Sequence, residues 1–178
     1  MKCENIIIAG IGGQGTVLAS RLIAAAAMES GHFVRTAETI GMAQRGGSVT
    51  SHVRIDSEDV ASMIPYGSAD LLIAFDATEA LRASVYLKKD GRALINLPDG
   101  KALPDGIDFD TVTVDAEKIA IECGSAKALN VALIGAASAN SMLPFDSDFM
   151  RGVIEKNVPA KFAKLNLACF DAGSKYVK

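Results

Sequence analysis

The stretch Gly10-Ile11-Gly12-Gly13-Gln14-Gly15-Thr16 decides the fold of this chain. An apolar run at residues 5–9 comes directly before it, and an Ala-rich pattern with helical spacing follows at residues 17–28. Strand, glycine turn and helix in this order form the context in which a G-x-G-x-x-G stretch has meaning. The start of such a helix offers unpaired N–H groups and a partial positive charge to an anion. The stretch predicts a phosphorylated ligand, or a fold built to bind one.

Three glycines of the stretch have expected roles. Gly10 would let the chain turn sharply, Gly12 would let a phosphate approach bare backbone, and Gly15 would let the helix pack close to the strand. A glycine turn that serves only close packing, with no ligand, is the alternative interpretation at this point.

The bulk composition indicates a single domain, residues 1–178, with a sizeable core. The net charge is −3 without a basic block, which argues against nucleic-acid binding. The sequence shows no N-terminal leader and no apolar run long enough to cross a bilayer, so we expect a cytoplasmic protein without membrane contact. The three scattered cysteines, Cys3, Cys123 and Cys169, are expected to be small apolar fillers.

Predicted strands and helices alternate along the chain. Strands are expected at residues 32–37, 48–55, 70–75, 91–96 and 111–114, and helices at 17–28, 77–87, after Asp115, 125–140, 146–156 and 159–172. Alternation of this kind predicts an α/β fold: a three-layer, Rossmann-like single domain with a mostly parallel sheet.

One of these strands has a different pattern. Residues 48–55 alternate between apolar and polar side chains, which predicts a half-solvated, antiparallel strand at a sheet edge. Its histidine, His52, falls among the polar positions, so we expect a surface side chain rather than a proton shuttle.

Ligands of parallel sheets bind beyond the carboxyl ends of the strands. The glycine turn, Glu38 and Asp76 are all expected at that edge. Glu38 lies about 20 residues past the turn, where the dinucleotide pattern has an acid for the ribose hydroxyls. An NAD(P)-dependent dehydrogenase is therefore an alternative, although no proton-transfer residue for one is evident.

The loop at residues 41–48 is the second unusual feature. Arg45 followed by Gly46 and Gly47 places a guanidinium beside freely turning backbone, a common cradle for anions. A flexible turn that leads into the next strand is the alternative interpretation.

Three segments together resemble the gamma subunit of 2-oxoacid:ferredoxin oxidoreductases. They are residues 10–15, residues 38–49, and residues 69–72 leading to Glu79-Ala80. Within that family, Gly-Met-Ala-Gln-Arg-Gly-Gly at residues 41–47 is most similar to the indolepyruvate branch, through its beta subunit.

The resemblance implies a non-catalytic subunit of a thiamine-dependent complex that converts a 2-oxoacid, such as an aryl pyruvate, to acyl-CoA, CO2 and reduced ferredoxin. The subunit would cap the active site and help to bind coenzyme A. The residues expected at the CoA phosphates are Gly12, Gly13, Gln14, Gly15, Thr16, Arg45, Gly46 and Gly47.

The resemblance also implies the partners. Thiamine diphosphate and iron–sulfur clusters are expected only on the catalytic and iron–sulfur subunits, so that ferredoxin would be reached indirectly, and we expect no metal site and no catalytic residue in this chain. An isolated chain could also pair with a second copy. A nucleotide-sensing module of the same fold is a further alternative.

Overall fold

A computed structural model describes residues 4–40 and 46–177. Six strands form one sheet in the order β2-β3-β1-β4-β5-β6. Their bounds are Glu4–Ile11 (β1), Phe33–Ile40 (β2), Ser48–Asp56 (β3), Ala69–Ala74 (β4), Leu87–Asn96 (β5) and Asp110–Val114 (β6). Strand β3 is antiparallel to both β1 and β2, whereas β1, β4, β5 and β6 pair in parallel. Five of the strands therefore point the same way and only β3 is reversed.

Six α-helices accompany the sheet in the part of the chain that the structure describes. They are Thr16–Glu29 (α1), Ala77–Ala83 (α2), Ala116–Glu122 (α3), Leu129–Ala139 (α4), Ser147–Asn157 (α5) and Ala160–Gly173 (α6). Short 3₁₀ turns at Ser84–Tyr86 and Ala126–Ala128 end α2 and precede α4. The predicted helix at 77–87 is therefore shorter than expected, because its last turn tightens and Leu87 already belongs to β5.

The two faces of the sheet are covered unequally. Alternate residues of the central strands, such as Ile6 and Ile8, join the side chains of α1 and α3–α6 in one large buried cluster. The opposite residues, such as Ile7 and Ala9, join a smaller cluster under α2. Apolar side chains on both faces explain why the central strands read as continuous apolar runs. The predicted α/β fold with three layers and a mostly parallel sheet is confirmed.

Helix α4 lies at the centre of the helical layer that α1 and α3–α6 form on one face of the sheet. Residues Leu129–Ser138 are buried all round the helix, as expected for a helix enclosed by others. Helix α6 packs on its outer surface, where the backbones come very close: a Cβ added to Gly173 would lie only 2.1 Å from the Ala132 carbonyl oxygen. Small residues at this crossing allow α6 to cover α4 without a layer of side chains between them.

The antiparallel direction of β3 is confirmed, but the prediction that it lies at a sheet edge is wrong. Strand β3 pairs with β1 on one side and with β2 on the other, and β2 forms the edge. The prediction of a surface role for His52 is wrong as well, since its side chain is fully buried. The segment that connects β3 with β4 covers this histidine: the Ile64 N–H donates to Nδ1 at 3.2 Å.

The environment of His52 disfavours its protonated form. Its ring meets the Tyr86 ring edge to face at a centroid distance of 5.2 Å, and Nε2 is buried without a hydrogen-bond partner among the described residues. Burial therefore lowers the pKa of His52 below its ordinary value. Protonation at Nδ1 would also place a donor against the Ile64 N–H, which is itself a donor.

Acid should destabilise the chain through His52. Because the pKa of His52 is lowered in the folded state, the unfolded state binds more protons in acid. The folded state therefore has its full stability above the unfolded pKa of about 6.5, and its free energy of unfolding falls as the pH drops below that value. We expect the free energy of unfolding to fall between about pH 7.5 and pH 5.5. Urea titrations of the wild type and His52→Asn, which keeps an acceptor for Ile64, should show this slope only in the wild type.

The matched control is His32→Asn, which removes the other histidine of the chain, a half-buried residue whose ring bonds to the Ser30 hydroxyl. This variant should keep the wild-type slope. A slope that survives in His52→Asn would contradict the assignment.

Candidate functional site

The glycine turn lies at the carboxyl end of β1 and is closed by one side chain. Gln14 Oε1 accepts the Ile11 N–H at 2.7 Å, and the Gln14 N–H donates back to the Ile11 carbonyl at 3.1 Å. Gly13 and Gly15 have φ values of +101° and +90°, which L-residues rarely adopt. This left-handed backbone explains how the chain turns from strand to helix within four residues.

The start of α1 is open to an anion. Gly15 precedes the helix and provides no side-chain cap. Within residues 4–40 and 46–177, no acceptor is present for the N–H groups of Gly13, Gly15, Thr16 and Val17. Thr16, the first residue of the helix, is 3% exposed. Unpaired donors at the positive end of a helix are the usual elements of a phosphate site.

Two of the expected glycine roles are wrong. Gly10 does not turn the chain: it lies in β1, and a Cβ there would be 2.8 Å from Thr16 Cγ2 and 3.0 Å from Phe75 Cβ. Gly15 is crowded by α4 and not by the strand, because a Cβ there would be 2.7 Å from Asn130 Nδ2. Gly10 is thus the residue of close packing, while Gly13 and Gly15 form the turn.

Asn130 is a site residue that sequence reasoning missed. It lies in the first turn of α4, is 2% exposed, and donates from Nδ2 to the Gly15 carbonyl at 3.4 Å. A buried asparagine in an otherwise apolar helix was the available signal. Its amide connects the central helix of the core to the glycine turn.

The second predicted segment reaches the glycine turn at its described end. The Gly12 N–H donates to the Gly47 carbonyl at 2.8 Å, so residues 46–47 lie beside the turn. Arg45, with the rest of residues 41–45, lies outside the described residues. Gly46 is exposed with φ +84°. An anion-binding role for Arg45, Gly46 and Gly47 stays a prediction.

A buried carboxylate fixes the start of β3 next to this loop. Glu79 of α2 is 3% exposed; its Oε2 accepts from Ser48 Oγ at 2.5 Å and its Oε1 from Arg82 Nη1 at 2.5 Å. Asp76 caps α2, so Glu79 has the spacing of a capping box, yet its side chain turns to the sheet. The network connects α2 through Ser48 to Gly47 and so to the glycine turn.

The strand order separates Glu38 from the turn. Glu38 pairs with Ser51 of β3, which in turn pairs with Ile8 of β1. Glu38 is therefore about 9.6 Å, or two strand spacings, from the strand that carries the glycine turn. In dinucleotide-binding domains the acid lies on the strand next to that one. The arrangement removes the main support for the NAD(P) alternative.

A cavity of about 250 Å³ opens beside the glycine turn. Its lining residues are Gly13, Gln14, Glu117, Ala126, Lys127 and Leu129. The Lys127 ammonium forms no ion pair with the residues that the structure describes. Sequence reasoning had assigned no role to Lys127, because only the fold brings the turn at 126–128 next to residues 13–14.

The cysteines fit the predicted filler role where they are described. Cys169 is buried, and burial raises the pKa of its thiol to about 12, which leaves it protonated and unreactive. Cys123 is half-buried, and Cys3 lies outside the described residues.

Among residues 4–40 and 46–177, no three His, Cys, Asp or Glu side chains are grouped as metal ligands. In the same ranges no helix has both the length and the apolar character to cross a bilayer.

An open, mostly parallel sheet with a glycine turn at its carboxyl edge defines an α/β domain of the Rossmann-like class. A family profile described as pyruvate ferredoxin/flavodoxin oxidoreductase matches residues 5–176. The chain therefore belongs to the pyruvate ferredoxin/flavodoxin oxidoreductase family.

Individual relatives agree with this assignment. The chain is 36% identical over 197 aligned positions to the indolepyruvate oxidoreductase subunit IorB of Pyrococcus horikoshii, covering 100% of this chain and 98% of that one. It superposes with a TM-score of 0.80 and 26% identity on the gamma subunit of a keto/oxoacid ferredoxin oxidoreductase from Geobacter sulfurreducens, covering 97% and 96% of the two chains.

A third relative carries the domain inside a longer chain. This is the 2-oxoglutarate:ferredoxin oxidoreductase from Magnetococcus marinus, solved with 2-oxoglutarate, coenzyme A and succinyl-CoA bound, with a TM-score of 0.80 and 25% identity. The match covers 98% of this chain but 31% of that one. The predicted family and the predicted role as a subunit of such an oxidoreductase are confirmed.

Two alanine substitutions should separate backbone strain from crowding at the turn. Gly13→Ala should cost about 1–2 kcal/mol, because φ is positive but the space around the added Cβ is open. Gly15→Ala should cost about 1–3 kcal/mol more, because its Cβ also meets Asn130. Urea unfolding at neutral pH measures both variants.

The double variant Gly15→Ala/Asn130→Ala tests the contact directly. It should be less destabilised than the sum of its two single variants, since Asn130→Ala removes the clash. Equal costs for Gly13→Ala and Gly15→Ala would show that Asn130 does not constrain the turn.

Proposed function

We propose that this chain is the non-catalytic subunit of a CoA-acylating 2-oxoacid:ferredoxin oxidoreductase, and that its glycine turn holds the diphosphate of coenzyme A. The observation that carries the proposal is the set of unpaired donors at the start of α1, on Gly13, Gly15, Thr16 and Val17. The relative from Magnetococcus marinus, a protein of the same fold, is described with coenzyme A bound.

The chemistry of coenzyme A matches these donors. Its diphosphate carries negative charge on non-bridging oxygens, which accept hydrogen bonds from backbone N–H groups and interact favourably with a helix N-terminus. Gln14 contributes further donors, because its Oε1 is used within the turn while Nε2 has no acceptor in the described part of the chain. Lys127 adds a positive charge to the same cavity.

The reaction itself would take place on partner subunits. Thiamine diphosphate supplies the decarboxylation of the 2-oxoacid, and iron–sulfur clusters pass two electrons to ferredoxin. The work of this chain is to bind CoA, orient its thiol towards that centre and exclude water. Residues 46–47, which lie beside the turn because the Gly12 N–H donates to the Gly47 carbonyl, would help to cover the site.

The preferred substrate would be an aryl pyruvate. The support is the sequence at residues 41–47 together with the full-length similarity to the indolepyruvate oxidoreductase subunit IorB. Steady-state assays of the complex with indolepyruvate, phenylpyruvate, pyruvate and 2-oxoglutarate should give the highest kcat/KM for an aryl pyruvate. A preference for pyruvate or 2-oxoglutarate would contradict the aryl pyruvate assignment. It would not contradict the proposed role as a subunit of a 2-oxoacid:ferredoxin oxidoreductase.

The partners can be tested first. A tagged chain purified anaerobically from its own cells should elute with a larger protein that contains iron and thiamine diphosphate. A lone chain under gentle conditions would contradict the proposal. Titration with NADH would then test the dehydrogenase alternative.

A charge placed in the turn should selectively weaken CoA binding. We expect Gly13→Asp to raise the KM for CoA roughly tenfold or more through repulsion of the diphosphate, with the KM for the 2-oxoacid unchanged. Gly13→Asn is the matched control: it has the same shape and tolerates positive φ, but carries no charge. Equal KM values for CoA in the two variants would contradict binding of CoA phosphates at this turn.

A further inference from the structure

A buried carboxylate lies on the α2 side of the glycine turn, and the proposed function makes no use of it. The Glu79 side chain is 4% exposed, and both of its oxygens are occupied: Oε2 accepts from Ser48 Oγ and Oε1 from Arg82 Nη1, each at 2.5 Å. Removing a charged group from water is costly, whereas a neutral side chain of similar size could hold α2 on the sheet without that cost. A carboxylate at this position therefore points to a role beyond packing.

The position of Glu79 is fixed by the start of its own helix. Asp76 caps α2 and accepts from the N–H groups of Thr78 and Glu79 at 2.8 and 3.2 Å. The strand before the helix is joined to β1 at the same level, since the Phe75 N–H donates to the Ala9 carbonyl at 2.8 Å. The carboxylate is thus presented to β3 from a helix start that is itself well held.

Ser48, in contrast, lies at an exposed strand end. It is the first residue of β3 and pairs with Ile11 at the end of β1, while the described pairing of β3 with β2 begins at Val49. The terminal pair of a solvent-exposed ladder opens easily unless another contact holds it. Glu79 provides that contact, because its carboxylate accepts from the Ser48 hydroxyl.

This end of the ladder borders the glycine turn. The carbonyl of Gly47, the residue before Ser48, accepts the Gly12 N–H at 2.8 Å. Ile11, which lies opposite Ser48, donates its N–H to Gln14 Oε1 at 2.7 Å. Opening of the terminal pair would therefore release the Gly47 carbonyl from the turn and loosen the strand end from which the turn begins.

We infer that Glu79 is a positioning residue for the glycine turn: through Ser48 it keeps residues 46–48 against the turn. It thereby keeps the unpaired N–H groups of the turn in the orientation that binds a phosphate. This inference rests on the proposed function and adds to it a buried residue from the opposite face of the sheet. Because Ser48 lies between Glu79 and the turn, the effect of the carboxylate passes through one hydroxyl group.

Substitutions of Ser48 test this link in the assembled complex. Ser48→Ala removes the hydroxyl and leaves the ion pair between Glu79 and Arg82 in place. We expect it to raise the KM for CoA roughly threefold to tenfold, with the KM for the 2-oxoacid unchanged. Ser48→Thr keeps a hydroxyl and should restore the wild-type KM. Ser84→Ala is the matched control, because Ser84 Oγ bonds to the Leu81 carbonyl at 2.8 Å, and it should leave both KM values unchanged.

A double variant shows whether the two residues act together. The amide of Glu79→Gln still accepts a hydrogen bond from Ser48 but lacks the charge, so this variant should raise the KM for CoA less than Ser48→Ala does. The variant Ser48→Ala/Glu79→Gln should match Ser48→Ala alone, since the hydroxyl is the shared link. Hydrogen exchange in the complex gives a second readout: the Gly12 amide should exchange faster in Ser48→Ala and at the wild-type rate in Ser84→Ala.

The outcomes separate this inference from the proposed function. If Gly13→Asp leaves the KM for CoA unchanged, the proposed function fails and the role of Glu79 fails with it. If Gly13→Asp raises this KM but Ser48→Ala does not, only the positioning role is wrong. Additive increases in the double variant, or an unchanged exchange rate at Gly12 in Ser48→Ala, would also overturn the positioning role, because Glu79 would then act by a route other than Ser48.

Discussion

The contact between Gly15 and Asn130 is the constraint on which the site depends. Gly15 ends the glycine turn with a left-handed backbone, and its carbonyl accepts from an amide that lies inside the core on α4. Because α4 is buried along almost its whole length, Asn130 is held by the packing of the helical layer. The direction of α1, and with it the unpaired N–H groups at its start, therefore depends on the centre of the core.

The unequal coverage of the sheet has a functional consequence. Helices α1 and α3–α6 cover one face, and this side contributes Lys127 to the cavity beside the turn. Helix α2 covers the other face and contributes Glu79, which fixes the start of β3. The glycine turn thus lies between a helical layer that lines the cavity and a helix that fixes the start of β3 through Glu79.

The reversed strand β3 separates this domain from ordinary dinucleotide-binding folds. It occupies the place beside β1 where a parallel strand would carry the ribose-binding acid, and it brings Gly47 into contact with Gly12. The same insertion buries His52 beneath the segment that leads to β4. One change in strand direction thus accounts for the displacement of Glu38, the second loop at the turn and the buried histidine.

The sequence alone determined the fold class, the position of the turn and the family, because these depend on local patterns: an apolar strand, a run of glycines and an Ala-rich helix next to one another. It also predicted that β3 is antiparallel, since its side chains alternate. It did not determine that β2 lies outside β3, and so His52 and Glu38 were misplaced. The roles of Gly10 and Gly15 depended on Phe75 and Asn130, which are 65 and 115 residues away along the chain. Lys127 and Glu79 come close to the turn only through the packing of α2 and α4, and no local pattern in the sequence records that proximity.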